Sequence, residues 1–429
     1  MQIRLLTATL ALLVIGPLAG CTGDAKPDPT DTGADADTDT DADTDTDTDT
    51  DADTDTDTDT DTDSAPDAGC GDGVVAPDEP CHDVGTAYAS PVAGTLSAVA
   101  ITRWSSVGDV LVGVNATIAV LTRDESGGFI PGTSITDARV QAPIADIVTG
   151  NLDTGSTADI AVASGGGDTV VFFGDGAGAS NSVQVTTGSD GSPVDLFLAD
   201  LGGSPAPADL AEARGAACGL LTETSGVEGA GFSDEALSFC DGHTSVVLAP
   251  TGMNRSSWVG ATGSTVHSTP VFITEGALTA GETTTVTLPA DVIRLATGDF
   301  DADNDGDIVV LLADGSLALL TSDGADGWVA IAGESYSLLT LPAVGSDIGS
   351  GDLDGDGDVD LAVTHPSTDS VSLLVTSEGR VAASTTTLSF PTGAAPRRLA
   401  LGNLNADTAQ DLAVVTAQTQ PITIFLSTP

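Results

Sequence analysis

The stretch Gly351-Asp352-Leu353-Asp354-Gly355-Asp356-Gly357-Asp358-Val359-Asp360 places carboxylates at alternate positions of one short loop. Asp352, Asp354, Asp356 and Asp360 stand at loop positions 1, 3, 5 and 9, and Asp358 at position 7 can add its backbone carbonyl. This is the chemistry of a hard cation. Ca2+ takes about six to eight oxygens at about 2.3–2.6 Å, which such a loop and water can supply. Gly355 and Gly357 permit the tight turn that brings the oxygens together. Position 12 holds Val363 where a helix–loop–helix calcium site needs a bidentate Glu. The loop runs instead into an apolar stretch ending at Val363, which reads as a buried strand.

The pattern recurs. Asp299, Asp301, Asp303, Asp305 and Asp307 precede Ile308–Leu312. Two thinner versions follow the same plan: Asn151, Asp153 and Asp159 before Ile160–Ala163, and Asn403, Asn405, Asp407 and Asp411 before Leu412–Val415. By charge, the first two loops are expected to hold Ca2+ tightly and the thinner two weakly or not at all.

The last acidic residue of each loop serves as a ruler. Asp159, Asp307, Asp360 and Asp411 are separated by 148, 53 and 51 residues. Asp209 falls 50 residues after Asp159, Trp258-Val259 falls midway between Asp209 and Asp307, and Asp109 lies 50 residues before Asp159. Seven units of about 50 residues, each offering about four short strands and no helix longer than two turns, predict an all-β, seven-bladed β-propeller. The last unit lacks an outer strand, and Thr86–Val92, before the first unit, could supply it. Joining the two ends of the chain in one blade would remove an exposed edge.

The motif G-D-x-D-x-D-x-x-x-D-[LI]-x-V, followed by a second strand and a Gly/Asp-rich hairpin such as Gly174-Asp175-Gly176-Ala177-Gly178, resembles the FG-GAP and VCBS repeats of the integrin α-subunit head. The resemblance covers roughly 86–429, sharply in units two, five, six and seven. It implies a propeller with calcium loops and leaves the ligand open.

The front of the chain is built differently. A positive start, an apolar run from Leu5 to Leu18 and small residues before Cys21 describe a signal peptide over 1–20, too short for a spanning helix. Leu18-Ala19-Gly20-Cys21 resembles a bacterial lipobox, which implies a lipid on Cys21 and attachment to the outer membrane, at the cell surface. An ordinary signal with an incidental Cys is the plainer alternative. Residues 21–69 form an acidic stalk, almost pure Asp-Thr and Asp-Ala from Asp31 to Asp63, with no apolar face to bury. Like charges at every second residue predict an extended, disordered segment. This stalk carries much of the formal charge of −53, which argues against a nucleic-acid partner.

Residues 70–85 open Cys70-Gly71-Asp72-Gly73 and resemble the start of a disulfide-rich repeat of myxobacterial surface proteins. That resemblance implies a loop closed by Cys70–Cys81. Cys218 and Cys240, on two consecutive predicted strands of unit three, make the second pair. Two pairs and one lipidated thiol account for all five cysteines.

Catalysis finds little support. The four histidines, His82, His243, His267 and His365, have no acidic or Cys partner at ligand or triad spacing, and His365-Pro366 reads as a surface turn. The paired carboxylates lie inside cation loops. With three Trp and two Tyr, a glycan ligand is disfavoured against a protein. Trp104, Trp258 and Trp328 read as packing residues, and Arg397-Arg398 as surface. The expectation is a monomeric, calcium-binding, surface-anchored binding or adhesion module. A propeller lyase or hydrolase and a structural envelope protein stand as alternatives. The partner is expected on the face opposite the calcium loops, near units three and four with their insert Glu223–Asp234.

Overall fold

The computed structural model describes residues 82–427 apart from 84, 106–107, 154, 156, 179, 188–190, 200–207, 216–217, 225–231, 251–255, 275–276, 323–335, 378–379, 392, 406 and 418–420. The signal peptide, Cys21, the stalk, the Cys70–Cys81 loop and Trp328 all lie outside the described residues.

Seven antiparallel sheets follow one another along the chain. Blade one is Leu96–Thr102, Asp109–Val114, Thr117–Arg123 and a split outer strand, Phe129–Pro131 with Ile135–Thr136. Blade two is Ile144–Gly150, Asp159–Ser164, Asp168–Gly174 and Ser180–Thr187. Blade three is Asp195–Ala199, Asp209–Ala213, Gly219–Thr224 and Phe232–Phe239. Blade four is Ser245–Pro250, Ser256–Thr262 and Thr265–Thr274, with Ala277–Ala280 and Thr284–Thr287 outside. Blade five is Val292–Gly298, Asp307–Leu312, Ser316–Leu320 and Tyr336–Thr340. Blade six is Asp347–Gly351, Asp360–His365, Ser370–Ser377 and Arg380–Ser389. Blade seven is Pro396–Gly402, Asp411–Thr416 and Ile422–Phe425, completed by Thr86–Tyr88 from the start of the body.

That last strand closes the ring as the sequence led us to expect, with Thr86 opposite Ile424 and Tyr88 opposite Ile422. The residues just before it tighten the closure. Asp83 Oδ1 accepts from Leu426 N at 3.1 Å, and His82 forms a bridge with Ser427.

The second strand of each blade explains why the units pack into a ring. Its side chains alternate between two faces, and both faces are covered by a neighbouring blade. In blade five, Ile308, Val310 and Leu312 pack toward blade four, while Val309 and Leu311 pack toward blade six. In blade six, Leu361 and Val363 meet blade five, and Ala362 meets blade seven. These strands therefore read as continuous apolar runs, although the sheets are antiparallel. The apolar cores lie between blades, one at each junction, including the junction of blade seven with blade one.

The ruler residues all fall at equivalent places. Asp109, Asp159, Asp209, Asp307, Asp360 and Asp411 each begin the second strand of a blade, and in blade four the equivalent place falls one residue into the strand, at Ser257. The connections between strands one and two, and those between strands three and four, lie on one face of the disc. The turns between strands two and three, and the crossings between blades, lie on the other. The Glu223–Asp234 stretch corrects an expectation here. Its described ends belong to strands three and four of blade three, with Thr224 paired to Phe232 at the end of the blade that carries the acidic loops and not the opposite one; residues 225–231 lie outside the described residues.

Candidate functional site

Loop six is built by its two glycines. Gly355 and Gly357 take φ of 86° and 95°, in the left-handed region that costs other residues steric strain. The turn brings ligand oxygens of Asp352, Asp354 and Asp356 within 4.8 Å of one another. Asp352 accepts from the amides of Gly355 and Gly357 at 2.6 and 3.1 Å, Asp354 Oδ1 from Asp356 N at 3.1 Å, and Asp356 from Asp358 N at 2.8 Å. Asp354 is buried, and its Oδ2 has no hydrogen-bond partner. Burial, with Asp356 and Asp352 alongside, pushes the Asp354 carboxyl up to about 6. A buried carboxylate oxygen with no donor, facing two more carboxylates, fits a bound cation.

Loop five repeats the geometry with poorer residues. Asp299, Asp301 and Asp303 converge within the same 4.8 Å, but Ala302 and Asn304 occupy the left-handed positions at φ of 61° and 66°. Asp299 accepts from the amides of Asp303 and Asn304 at 3.1 and 2.9 Å, and Asp303 from that of Asp305 at 2.9 Å. This cluster is more exposed than loop six. Burial and the neighbouring Asp303 raise the Asp301 carboxyl above its ordinary range.

The fourth carboxylate of each loop has another task. Asp360 accepts from Leu353 N and Thr376 N at 2.8 and 2.7 Å, one on each oxygen, and Thr376 Oγ1 adds a third bond at 3.1 Å. Asp307 takes Phe300 N and Ser322 N, both within 2.9 Å. Asp159 takes Leu152 N and Gly174 N, and Asp411 takes Leu404 N and Ser427 N. Each carboxylate thus ties the loop before its strand to the end of strand three, two segments that would otherwise leave amides unpaired. Burial still pushes Asp360 up to about 7 and Asp307 and Asp159 to about 6, with the amide donors opposing. Asp109 does the same in blade one through Ser105 and Thr122. The loop spacing marks these residues as ligands, and the contacts give each of them a structural role as well, that of clamping the blade.

Loops two and seven close on themselves. The Asn151 amide donates to Gly155 O at 2.7 Å, and Asn403 donates to Asp407 O. Asn405 donates to Ser427 O at 3.1 Å. An amide donor stands in each where loop six has only acceptors. Asp153 Oδ1 accepts Gly155 N at 2.5 Å, and Asp407 Oδ2 accepts Ser427 Oγ at 2.9 Å.

A second set of charges, not evident in the sequence, surrounds the central channel. Four residues before the residue paired with each ruler position stand Ala98, Asp146, Asp195, Ser245, Arg294, Asp347 and Arg398. Most of them line a cavity of about 340 Å³ bounded by the inner strands. Arg294 pairs with Asp195 and, at 2.9 Å, with Asp347, and Arg398 Nη1 lies 3.5 Å from Asp347. The carboxylates also join blades through the backbone. Asp146 accepts Leu196 N, Asp195 accepts Val246 N, and Asp347 accepts Leu399 N, each at about 3.0 Å. Ser245 Oγ accepts Leu295 N in the same place. Burial raises Asp146 and Asp347, and the Arg294 charge opposes it. Arg398, read from sequence as surface, is half-buried in this network.

The histidines also depart from expectation. His365 ends strand two of blade six and is buried, with Nε2 2.9 Å from Ser372 Oγ; it is not a surface turn. Its burial follows from the strand continuing one residue beyond Thr364 before the turn. His243 and His267, 24 residues apart, meet edge-to-face at 5.1 Å, and His267 Nδ1 lies 3.7 Å from Asp241 Oδ2. The crossing from blade three to blade four and strand three of blade four bring together what sequence spacing kept apart. Trp104 and Trp258 are buried packing residues as expected, and Trp258 stacks on Phe239 at 4.1 Å. The Cys218–Cys240 disulfide is present, joining the start of strand three to the end of strand four in blade three.

No protein family and no curated protein matches the chain. Among solved structures it resembles the crystal structures of BBS1N in complex with ARL6DN, one soaked with mercury and one with lead. In each case the TM-score is 0.55, and the match covers 80% of this chain and 97% of the other at 10% and 11% identity. At that identity the likeness concerns the fold.

Proposed function

We propose that this chain is a calcium-binding propeller that serves as a protein-binding or adhesion module, displayed from the outer membrane by a lipid on Cys21 and an acidic stalk. The observation that carries the calcium reading is Asp354 Oδ2, buried and without a donor among three converging carboxylates. Asp352, Asp354 and Asp356 would hold the tighter ion, and Asp299, Asp301 and Asp303 the weaker one. Loops two and seven, closed by their own Asn amides, would bind weakly or not at all.

The ion's work would be mechanical. It neutralises like charges that otherwise repel, and it stiffens one face of the ring. Binding to the folded state alone stabilises by about 2.7 kcal/mol at a hundredfold excess over Kd.

A protein partner is supported by two things. The loops of the crossing face differ from blade to blade, as recognition loops on a fixed scaffold do. The propeller of BBS1N, which this fold resembles, is seen in complex with ARL6DN. Capture of envelope proteins by the full chain, in calcium and in chelator, tests the reading. Specific partners retained in calcium support it, and an equal background in both conditions overturns it.

A further inference from the structure

We propose that Asp241, His243 and His267 form a transition-metal site of the zinc class on the crossing face of blade four. One ligand atom from each lies within 4.8 Å of the other two. His243 is wholly buried, and neither ring nitrogen has a hydrogen-bond partner. Buried polar groups are nearly always paired, so an imidazole with both nitrogens unpaired needs a reason. A metal ion supplies one.

The surrounding backbone is shaped for that ring. Gly260 lies directly opposite His267 in the ladder between strands two and three of blade four. A Cβ on Gly260 would stand 2.5 Å from the His243 ring and 2.4 Å from that of Trp258. The missing side chain is therefore the space His243 occupies, and Trp258 holds its other side edge-to-face at 4.4 Å. The His243 carbonyl accepts Gly215 N at 2.9 Å, and the Asp241 carbonyl accepts Thr262 Oγ1 at 2.8 Å. Cys240, the residue before Asp241, is fixed by the disulfide. Two ligands thus sit on an anchored crossing, and the third on a strand.

The donor set selects the ion. Two imidazoles and one carboxylate suit Zn2+ and its neighbours, whereas Ca2+ takes oxygens. Around a tetrahedral zinc with ligands at about 2.0–2.1 Å, ligand atoms stand about 3.3 Å apart. The 3.7 Å between His267 Nδ1 and Asp241 Oδ2 is too long for a hydrogen bond and needs only a small contraction to share a metal. The Asp241 side chain is 53% exposed and free to make that movement, which leaves the fourth position open to water. The acidic loops lie on the other face of the disc, so this site stands independently of the calcium reading.

The test uses the full, oxidised chain in excess CaCl2, which occupies the acidic loops and the stalk. Zn2+ binding is followed by equilibrium dialysis and by the visible spectrum of the Co2+ form. The wild-type chain is expected to bind one Zn2+ that His267→Ala and Asp241→Asn each weaken by more than about tenfold. Both residues are partly exposed, and both variants should keep the zinc-free unfolding midpoint. His243→Gln, checked for folding by circular dichroism, should lose the site as well. Equal zinc binding by wild type and variants, or none by wild type, overturns the proposal.

Discussion

Arg294 donates from Nε to Asp347 Oδ1 at 2.9 Å and pairs through Nη1 with Asp195, so one guanidinium on blade five ties blades three, five and six together across the channel wall. The two aspartates sit at the same position of their blades, and each also accepts an amide from the next blade along. The network is thus both electrostatic and a set of backbone pins. Replacing Arg294 by Met leaves Asp146 and Asp195 buried without a cation and Asp347 with Arg398 alone, 3.5 Å away. The expected cost is about 3–5 kcal/mol, read from urea unfolding. Adding Asp195→Asn and Asp347→Asn to the Met variant should recover much of that loss. A triple variant as unstable as the single one would show that packing, not charge, sets the cost.

The repeat was legible because the ruler residues are chemically the same in nearly every blade. Asp at the head of strand two accepts two amides in each of four blades, and no other side chain of that length has two acceptor oxygens. Blade four lacks the Asp, and only the spacing of about 50 residues marks its place in the ring. The channel network was not legible, because the equivalent residues are Ala, Asp, Asp, Ser, Arg, Asp and Arg, which show no common type until the register aligns them. The histidine cluster was hidden for a related reason. His243 is carried by a crossing between blades and His267 by a strand, so their proximity follows from the ladder and not from spacing.

Loop six separates clamp from ligand in one experiment. Asp360→Asn turns an amide group toward Leu353 N or Thr376 N, leaving a buried donor unpaired, and should cost about 1–3 kcal/mol even in chelator. Asp356→Asn touches only the outer part of the loop. It should change stability in chelator by less than about 0.5 kcal/mol and abolish most of the calcium-induced rise in melting temperature. Equal behaviour of the two variants in chelator would contradict the division of labour described above.

Ala302 and Asn304 hold left-handed backbone in loop five where loop six has glycines. Ala302→Gly relieves a strain of about 1–2 kcal/mol, offset in part by the greater freedom of glycine in the unfolded chain. A net gain of up to about 1 kcal/mol is expected, together with tighter calcium binding by isothermal titration at that loop. A loss of stability would mean that the turn relaxes without cost.

His365 should make the body acid-sensitive. Burial lowers its pKa below the ordinary 6.5, while the backbone of Val344 and Ala343 opposes the shift. The unfolded chain then takes up a proton below about pH 6.5 that the folded chain refuses. Stability is therefore fully present above that pH and lost as pH falls, by at most about 1.4 kcal/mol per pH unit for this group. At fixed saturating calcium, His365→Gln should flatten the slope between about pH 6.5 and 5. An unchanged slope would assign the acid sensitivity to other groups, His82 and His243 among them, whose burial shifts them the same way.

Ring closure gives the last prediction. Thr86–Tyr88 is the only cover on the outer edge of Ile422–Phe425 among the described residues, and it is held by three paired positions plus the Asp83 and His82 contacts. Removing residues up to 88 would uncover the edge of Ile422–Phe425, all buried apolar or Thr residues, as a template for another chain. It would also expose the core shared by blades seven and one, to which Tyr88 contributes. The truncated body should unfold at lower urea, with blade seven cut first by protease, and should self-associate in sedimentation. Asp83→Ala is the milder probe: it removes the carboxylate that accepts both Gly85 N and Leu426 N, at 2.9 and 3.1 Å, while leaving the strand in place. It should loosen the same blade by about 1–2 kcal/mol without self-association, as expected when an acceptor is lost but the edge stays covered. A truncated body as stable and as monomeric as the full one would show that three strands suffice for blade seven.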